Sequence, residues 1–399
     1  MKTRLFVITS NVAPLSAVLI TAAVILIPAE RSGWDMSGTA SQFVFFLTTV
    51  LIYSIFCIGL NVQWGYTGIF NFGVAAFFLV GSYTAAVFVK GDPPPPDPVT
   101  GQDYVQYIGG FGDDLNLFPA LGTDEWLPFI VAILMAALVA GILAFLIAIP
   151  ALRLRGDYLA ITTIGIAELL RAIVVEEPSL FNSSKAIPDI PSPLSGLFSS
   201  SEYDYVYVGL LVLLVGLLFL LVERSIRSPW GRVLRAVRED EIATSACGKN
   251  PFEFKTQAFV IGAMIMGVGG AVYGFDRHSL SPDTFAPIST TFLFWTMVMV
   301  GGSGNTKGAI LGAYVVYGFY FAMIQVQGYD LPGWISTTRI SALRDTAIGL
   351  LIVLVLLWRP HGLLPEEARV SMWVERRLRR GGKGGPAPPL GPALDKPDK

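Results

Sequence analysis

The chain has 399 residues, of which 53% are hydrophobic and 15% charged, and its formal net charge is −2 at pH 7. Its apolar residues form runs that are apolar on every face, such as 126–150 and 205–222, whereas a soluble chain of this size would show amphipathic periodicity. Because about 20 apolar residues span the core of a bilayer, this composition excludes a soluble globular protein. It predicts an all-α, polytopic integral membrane protein that has the lipid bilayer as a partner and does not bind nucleic acid.

We predict about ten membrane-spanning helices, within a range of eight to ten. The N-terminal apolar run is long and is interrupted by Pro14, so we interpret it as a retained first helix rather than a cleaved signal peptide. The third span contains several glycines and the eighth is short, which extends the range down to eight. The predicted spans are 12–29, 42–60, 66–89, 126–149, 158–175, 205–222, 257–275, 289–301, 308–326 and 342–358.

An unusually polar sequence, "NVQWGYTGIFNFGVAAF", at 61–77, leads into the third span and includes its first residues. Asparagine, glutamine and aromatic side chains alternate there with glycines spaced to interrupt a helix. Backbone groups left unpaired at membrane depth are tolerated only when they are buried in protein or line a wet cavity. Two interpretations stay open at this point: a tightly packed helix that uses glycine for close approach, and the lining of a translocation path.

An acidic insertion follows the third span, at 90–125. It holds seven acidic residues and one lysine, and its run of prolines favours stiff, extended chain over helix. We expect it on the external side, as a variable loop rather than a binding element.

Two opposite charges lie within the fifth span. Glu168 and Arg171 are three residues apart, a spacing that makes them neighbours on a helix, so each can neutralise the other and lessen the cost of burying charge. We predict an intramembrane ion pair that faces the bundle. The alternative is a direct contact with substrate.

The stretch 223–256 is the largest connection between spans on the side that we predict to be cytoplasmic. Ser228 can cap a helix that starts at Pro229, and Asp240 can cap a second short helix that ends at Gly248. The pattern predicts two short helices that form a docking platform. A simpler alternative is that the basic residues of this stretch fix membrane orientation or contact anionic lipid headgroups.

The orientation follows from the basic residues. When the ten spans are threaded with the N-terminus inside, 21 of the 28 Lys and Arg lie on the inner side, as connections rich in these residues require. Both termini are then cytoplasmic. We divide the chain into a transmembrane domain, 1–366, and a basic, largely disordered cytoplasmic tail, 367–399.

Reactive and ligand-binding chemistry is not indicated. "GGSGNTKG" resembles a phosphate loop, but Thr306 precedes Lys307 and Gly308 follows it, which is the wrong order. His278 and His361 are predicted on opposite sides of the membrane. We therefore predict no catalytic residue, no metal site and no cofactor.

Several stretches resemble permease subunits of ATP-binding-cassette (ABC) importers for branched-chain amino acids. The resemblance covers most of 42–366 and is closest to the larger of the two permeases that pair in such importers. The stretches that carry it are "GLNVQWGYTGIFNFGVAAFFLVGSYTAA" (59–86), "LRLRGDYLAITTIGIAELLR" (152–171), "SPWGRVLRAVREDEIATSACGKNPFEFKTQAFVIGAMIMGVGGAVYG" (228–274), "GGSGNTKGAILGA" (301–313) and "GLLIVLVLLWRPHGLLPE" (349–366).

The resemblance implies roles for particular residues. The loop at 223–256 would carry a coupling helix that sits in a groove of a cytoplasmic ATPase, although Ile242, Ala243 and Thr244 match the broader importer motif only at the alanine. The coupling residues would be Arg238, Glu239, Asp240, Glu241 and Ala243, with Gly248 as terminator. The translocation path would include Tyr66, Thr67, Asn71, Phe72 and Gly73.

The resemblance also implies partners and a location. These partners are a second homologous permease, two cytoplasmic ATP-binding subunits and an extracytoplasmic binding protein that delivers an amino acid, all at a bacterial-type inner membrane. Many relatives carry histidine where this chain has Val74, so any role of that imidazole is absent here. Relatives also follow the fifth span with an asparagine and a Thr-Gly-Gly turn that this chain lacks. Related permeases handle urea and short amides as well, so the cargo stays open between these and branched-chain amino acids. An ion-coupled secondary transporter that uses Glu168 is a further alternative, and a membrane enzyme lacks the necessary groups.

Overall fold

The computed structural model describes residues 36–89, 127–177 and 200–327, together with parts of 181–198 and 346–357 and residues 362–366. The chain divides into two units, Met1–Pro365 and Glu366–Lys399, and every element below belongs to the first. The first predicted span, the insertion at 90–125 and the tail at 367–399 lie outside the described residues. The tenth predicted span is described only at separate positions, which are helical.

Helices form the regular structure of the described ranges, which contain no β-strand and a single isolated bridge, between Ile187 and Leu280. In chain order the helices are α1 Met36–Leu60, α2 Val74–Val89, α3 Leu127–Ala151, α4 Gly156–Glu176, α5 Ser200–Arg227, α6 Pro229–Glu239, α7 Glu241–Ala246, α8 Pro251–Arg277, α9 Pro287–Gly301 and α10 Thr306–Gln327.

Within the described residues, six helices are long and apolar enough to cross a membrane, namely α1, α3, α4, α5, α8 and α10. Two shorter apolar helices, α2 and α9, accompany them. The class of helical, polytopic membrane protein is confirmed, whereas the count of ten spans is not. The third predicted span also starts later than expected, because its helix begins at Val74 and not at residue 66.

Helix α8 is the centre of the bundle. It packs against α1, α2 and α3. Of its 18-residue apolar stretch 78% is buried, compared with 22% of the corresponding stretches of α4 and α5. Small residues such as Ala263 and Ala271 allow its neighbours to approach closely, because helices in a membrane associate mainly through close packing. Hydrogen bonds add to this packing: Ser82 of α2 and Tyr207 of α5 each donate to a carbonyl of α8, over 2.8 Å.

The two ends of the bundle differ in charge. We call the end that carries α6 and α7 the platform end and the opposite end the outer end. At the outer end, Arg277 donates to Thr49 over 2.8 Å and lies 4.5 Å from the centre of the Phe45 ring. Arg171 lies within α4, and the other described Lys and Arg residues belong to the platform end: Arg153, Arg155, Arg224, Arg227, Arg232, Arg235, Arg238, Lys249, Lys255 and Lys307.

Candidate functional site

The polar sequence after α1 forms an interruption between two helices, which we call the broken segment, residues 61–73. A π-turn, Asn61–Gly65, continues α1, and the chain is then irregular as far as Val74. Backbone bonds close the turn: the amide of Tyr66 donates to the carbonyl of Asn61 over 3.1 Å. The interruption predicted from the glycines is therefore present, and π-turns often accompany function.

A buried hydrogen-bond network holds the broken segment to α8 and α9. Gln63 Nε2 donates to the carbonyl of Phe259 over 2.7 Å, and Asn71 Nδ2 donates to Gln63 Oε1 over 2.6 Å. Asn71 Oδ1 accepts from the amide of Gly73 over 2.8 Å, and Trp295 Nε1 donates to the carbonyl of Asn71 over 2.9 Å. Gln63 and Asn71 are fully buried, so water cannot reach their amide groups. These bonds supply the hydrogen-bond partners that buried polar groups require.

Further bonds connect the broken segment to α4 and to the start of α10. The amide of Phe72 donates to Thr163 Oγ1 over 3.0 Å, and the hydroxyls of Tyr66 and Thr306 are 2.8 Å apart. Asn61 Oδ1 accepts from the amide of Gly304 over 2.9 Å. The segment is thus a junction at which several spans meet.

The residues predicted for a translocation path lie in this junction. Tyr66, Thr67, Asn71 and Gly73 are buried, and Phe72 stacks on Trp295 with ring centres 4.5 Å apart. In this state they pack against neighbours. An open cavity of about 190 Å³ occurs instead near the outer end, lined by residues that include Phe45, Tyr203, Tyr207, Asp276 and His278.

The platform is formed by α6 and α7. Ser228 Oγ accepts from the amide of Trp230 over 3.2 Å, with Pro229 in the first turn of α6. Asp240 Oδ1 accepts from the amides of Ile242 and Ala243 over 2.8 and 3.0 Å and so caps α7. The two short helices predicted from these capping residues are present.

The platform is anchored on one face and exposed on the other. Leu234 of α6 is fully buried, Trp230 Nε1 donates to Gln257 Oε1 over 2.9 Å, and Lys255 forms an ion pair with Glu241. On the free side, 84% of the surface of Ile242 is exposed. The exposed residues among those predicted for coupling are Glu239, Asp240, Glu241, Ala243 and Gly248.

Arg238, which was also predicted as a coupling contact, lies differently. Its Nη1 donates to the carbonyl of Gly65, the last residue of the π-turn, and its side chain packs beside Gly68. One turn earlier, the Arg235 guanidinium lies 5.7 Å from the centre of the Tyr66 ring. Both arginines thus face the broken segment.

The two charges predicted as an intramembrane pair are in contact. Arg171 Nη2 lies 2.9 Å from Glu168 Oε1, and Arg171 Nη1 lies 3.6 Å from Asp283 Oδ1. The Glu168 side chain is nevertheless 51% exposed, so the pair does not face the interior of the described bundle as expected.

Other candidate chemistry is sparse in the part of the chain that the structure describes. No group of three or more His, Cys, Asp or Glu side chains there could hold a metal ion. Cys57 is buried and Cys247 exposed, and both are free thiols.

Sequence reasoning did not select the partners of the broken segment. Thr163 and Trp295 bind the segment from α4 and α9 and gave no signal, whereas Gln63, within the segment, gave one as an amide at membrane depth. Arg235 and Arg238 did carry a usable signal, since residues three apart share one face of a helix.

Comparison with known proteins places these features in a family. The family model described as "Branched-chain amino acid transport system / permease component" matches residues 42–356. The chain is 31% identical to the high-affinity branched-chain amino acid transport system permease protein LivM of Salmonella typhimurium, over 80% of this chain and 69% of the relative. It is 27% identical to the probable LivM of Methanocaldococcus jannaschii, over 82% of this chain and 94% of the relative.

A second kind of relative matches at lower identity. The permease protein LivH of Escherichia coli K12 is 26% identical, over 83% of this chain and its whole length. No solved structure matches the chain.

Proposed function

The chain belongs to the branched-chain amino acid transport permease family, and from that membership we propose that it forms the membrane path of an ATP-driven importer for branched-chain amino acids. In this proposal a separate ATPase subunit hydrolyses ATP to supply the energy and binds α7. The observation that carries the proposal is the platform: two short, capped helices outside the spans, of which α6 packs on α5 and α8 and α7 is exposed on one side.

The platform suits the transmission of a movement. Asp240 and the bond from Thr244 Oγ1 to the carbonyl of Asp240, over 2.8 Å, hold α7 in one conformation. A stiff element passes on a displacement better than a flexible loop does. Ile242 can insert as an apolar side chain into a pocket on the partner. Glu239 and Glu241 can fix the position of α7 relative to that partner, as charged residues do at interfaces.

We further propose that the broken segment belongs to the translocation path. Interrupted helices that leave polar groups at membrane depth are a common element of substrate sites in transporters. In the state described, Tyr66, Thr67, Asn71, Phe72 and Gly73 are packed, which corresponds to a closed path. Opening would require their contacts with α4 and α9 to change.

A second, homologous permease is the proposed neighbour of α4. Glu168 lies eight residues before the end of α4, about 12 Å along the helix axis, and a half-exposed carboxylate at that depth is costly against hydrocarbon. A partner permease or a water-filled path between the two subunits would remove that cost. An extracytoplasmic binding protein would deliver the amino acid at the outer end, and two ATPases would complete the importer.

The proposed orientation puts the platform end in the cytoplasm, because the described basic residues cluster there. Both termini and the tail at 367–399 are then cytoplasmic, the insertion at 90–125 is external, and residues 1–366 form the transmembrane domain of an inner-membrane protein. Residues 223–256 form its coupling loop.

The two native cysteines allow a direct test of this arrangement. Cys247 is exposed beside α7 and Cys57 is buried in α1, so a membrane-impermeant maleimide should label Cys247 alone. We expect labelling only from the cytoplasmic side, and protection of Cys247 when the neighbouring ATPase is co-expressed. Labelling from the external side, or no protection in a complex that transports, would contradict the proposal.

A matched pair of variants tests the anchor. Ile242→Asn should abolish co-purification of the ATPase, whereas Leu154→Asn should leave it intact, because Leu154 is exposed at the same end of the bundle but outside the platform. Transport of leucine that survives Ile242→Asn, or that proceeds in vesicles without ATP, would exclude coupling through α7.

A further inference from the structure

At the C-terminal end of the π-turn, the carbonyls of Gln63 and Trp64 accept from the amides of Ile69 and Gly68, and the Gly65 carbonyl accepts from a side chain. Such ends bear a partial negative charge and are stabilised by a positive side chain that can donate hydrogen bonds. Here the cation comes from another element, since Arg238 of α6 donates to the carbonyl of Gly65. The arginine therefore caps a span that it does not belong to.

The surroundings of Arg238 fix this contact. Gly68 has a left-handed backbone with φ of +75°, and a Cβ added there would lie 3.1 Å from Arg238 Cγ, so the aliphatic part of the arginine fills the space beside this glycine. Leu234 and Tyr66 belong to the same hydrophobic cluster, which also includes Val62 of the π-turn. Apolar packing and a charged hydrogen bond thus join the same two elements.

A second arginine continues the connection to α10. The Arg235 guanidinium lies over the face of Tyr66, within the distance at which a cation is attracted to an aromatic ring. The Tyr66 hydroxyl is in turn hydrogen-bonded to Thr306, the first residue of α10. One face of α6 therefore contacts the end of one span directly and the start of another through a single side chain.

We infer that Arg238, supported by Arg235, is the positioning residue that joins the platform to the broken segment. A movement of α6 would then displace the broken segment and so change the closed path. This inference rests on the proposed function and assigns Arg238 a role inside the permease instead of a contact with the ATPase. The ATPase would bind α7, and Arg238 would pass the displacement on to Gly65 and Gly68.

The geometry favours this role over electrostatic attraction to lipid headgroups. A headgroup contact needs the guanidinium at the membrane surface, whereas Arg238 directs its Nη1 to a backbone carbonyl of a span. Arg232, on the same helix, is exposed. The two arginines therefore separate the effect of one positive charge from the effect of this particular contact.

The test compares Arg238→Gln with Arg232→Gln in the assembled importer reconstituted in vesicles, with leucine as cargo. Each change removes one positive charge from α6. For Arg238→Gln we expect the ATPases to co-purify and the leucine taken up per ATP hydrolysed to fall by about tenfold, the size expected for a lost charged hydrogen bond. Arg232→Gln should leave that ratio unchanged, and Arg238→Lys, which keeps the positive charge, should restore part of it.

Three outcomes would overturn the inference. An unchanged ratio in Arg238→Gln would show that the contact transmits nothing. Loss of the ATPases from the Arg238→Gln complex alone would return Arg238 to the ATPase interface. A parallel fall of uptake, hydrolysis and melting temperature would indicate a purely structural role. Failure of the unmodified chain to assemble with any ATPase is distinct from all three, because it contradicts the proposed function itself.

Discussion

The broken segment and α7 are both polar interruptions between apolar helices, yet they use their polar groups in opposite ways. In the broken segment, Gln63 and Asn71 are fully buried, bonded to each other and, through Gln63, to α8. In α7, Glu241 pairs with Lys255 of α8, but Ile242 points away from the bundle and only Thr244 is buried. The first region is completed within the chain, and the second presents a surface that a partner can complete.

The contrast teaches that polarity alone does not distinguish a structural element from a docking element. Both regions are rich in residues that resist a hydrocarbon environment, and a sequence profile treats them alike. What differs is the direction of the side chains. Matched substitutions, one in each region, can therefore test whether the difference is energetic as well as geometric.

The largest expected effect concerns Asn71. Asn71→Leu removes the bonds to Gln63 and to the amide of Gly73 and leaves buried polar groups unpaired, at a cost of about 1–3 kcal/mol for each group. We expect a loss of several kcal/mol in the free energy of unfolding, measured in detergent, together with loss of leucine uptake.

The control for Asn71 carries the same substitution at an exposed asparagine. Asn250 caps α8 by accepting from the amide of Phe252 over 3.2 Å, so Asn250→Leu should cost only about 1 kcal/mol, the usual value of a cap. Equal losses in the free energy of unfolding at the two positions would mean that burial of the hydrogen-bond network does not add to stability.

A smaller effect is expected at Gly68, with Gly248 as its counterpart. Both have a left-handed backbone, with φ of +75° and +77°, and a Cβ at Gly248 would meet nothing within 4 Å. Alanine at Gly248 should therefore show only the backbone penalty of about 1–2 kcal/mol. Alanine at Gly68 should cost more, because the new Cβ also displaces Arg238.

A double substitution tests whether the extra destabilisation by Gly68→Ala, relative to Gly248→Ala, comes from the displacement of Arg238. If the extra cost arises from Arg238, then Gly68→Ala combined with Arg238→Gln should destabilise less than the sum of the two single changes, since neighbouring sites are not additive. Additive values in thermal unfolding would show that the two residues do not interact.

At the platform, removal of the N-terminal cap of α7 should lower the stability of that helix by about 1 kcal/mol. Asp240→Ala removes the acceptor for the amides of Ile242 and Ala243, so α7 should fray and its backbone amides should exchange hydrogen faster. Co-purification of the ATPase should weaken as a result.

Asp240→Asn distinguishes the cap from the charge. Asparagine caps a helix about as well as aspartate does, so this variant should keep both α7 and the ATPase. Weak binding of the ATPase by Asp240→Asn would instead show that the carboxylate itself contacts the partner.

The sequence predicted those features that depend on nearby residues. The caps at Ser228 and Asp240 are local, because the acceptor and the donor lie two or three residues apart, and the interruption after α1 follows from closely spaced glycines. The bond from Arg238 to Gly65 joins residues 173 positions apart. No local pattern contains such a contact, since it exists only once α6 has packed against the bundle.

The predicted start of the third span, at residue 66, was wrong for a related physical reason. The polar, glycine-containing stretch 61–77 is compatible with both a packed helix and an interruption. The tertiary bonds from Asn71 to Gln63 and from Phe72 to Thr163 fix 66–73 in an irregular conformation. As a result, α2 keeps only 16 residues.

The smallest expected effect concerns Glu168 and Arg171, because what surrounds them depends on assembly. In the isolated chain the pair is partly exposed, and a double-substitution cycle with Glu168→Gln and Arg171→Met should give a coupling of about 0.2–1 kcal/mol. If a second permease covers this face, Glu168→Gln leaves a buried arginine without its main partner, and the coupling in the assembled importer should rise well above that range. The cycle should therefore be measured by thermal unfolding of the chain alone and of the complex. Equal coupling in both states would mean that the charged face of α4 stays open to water, along a path rather than an interface.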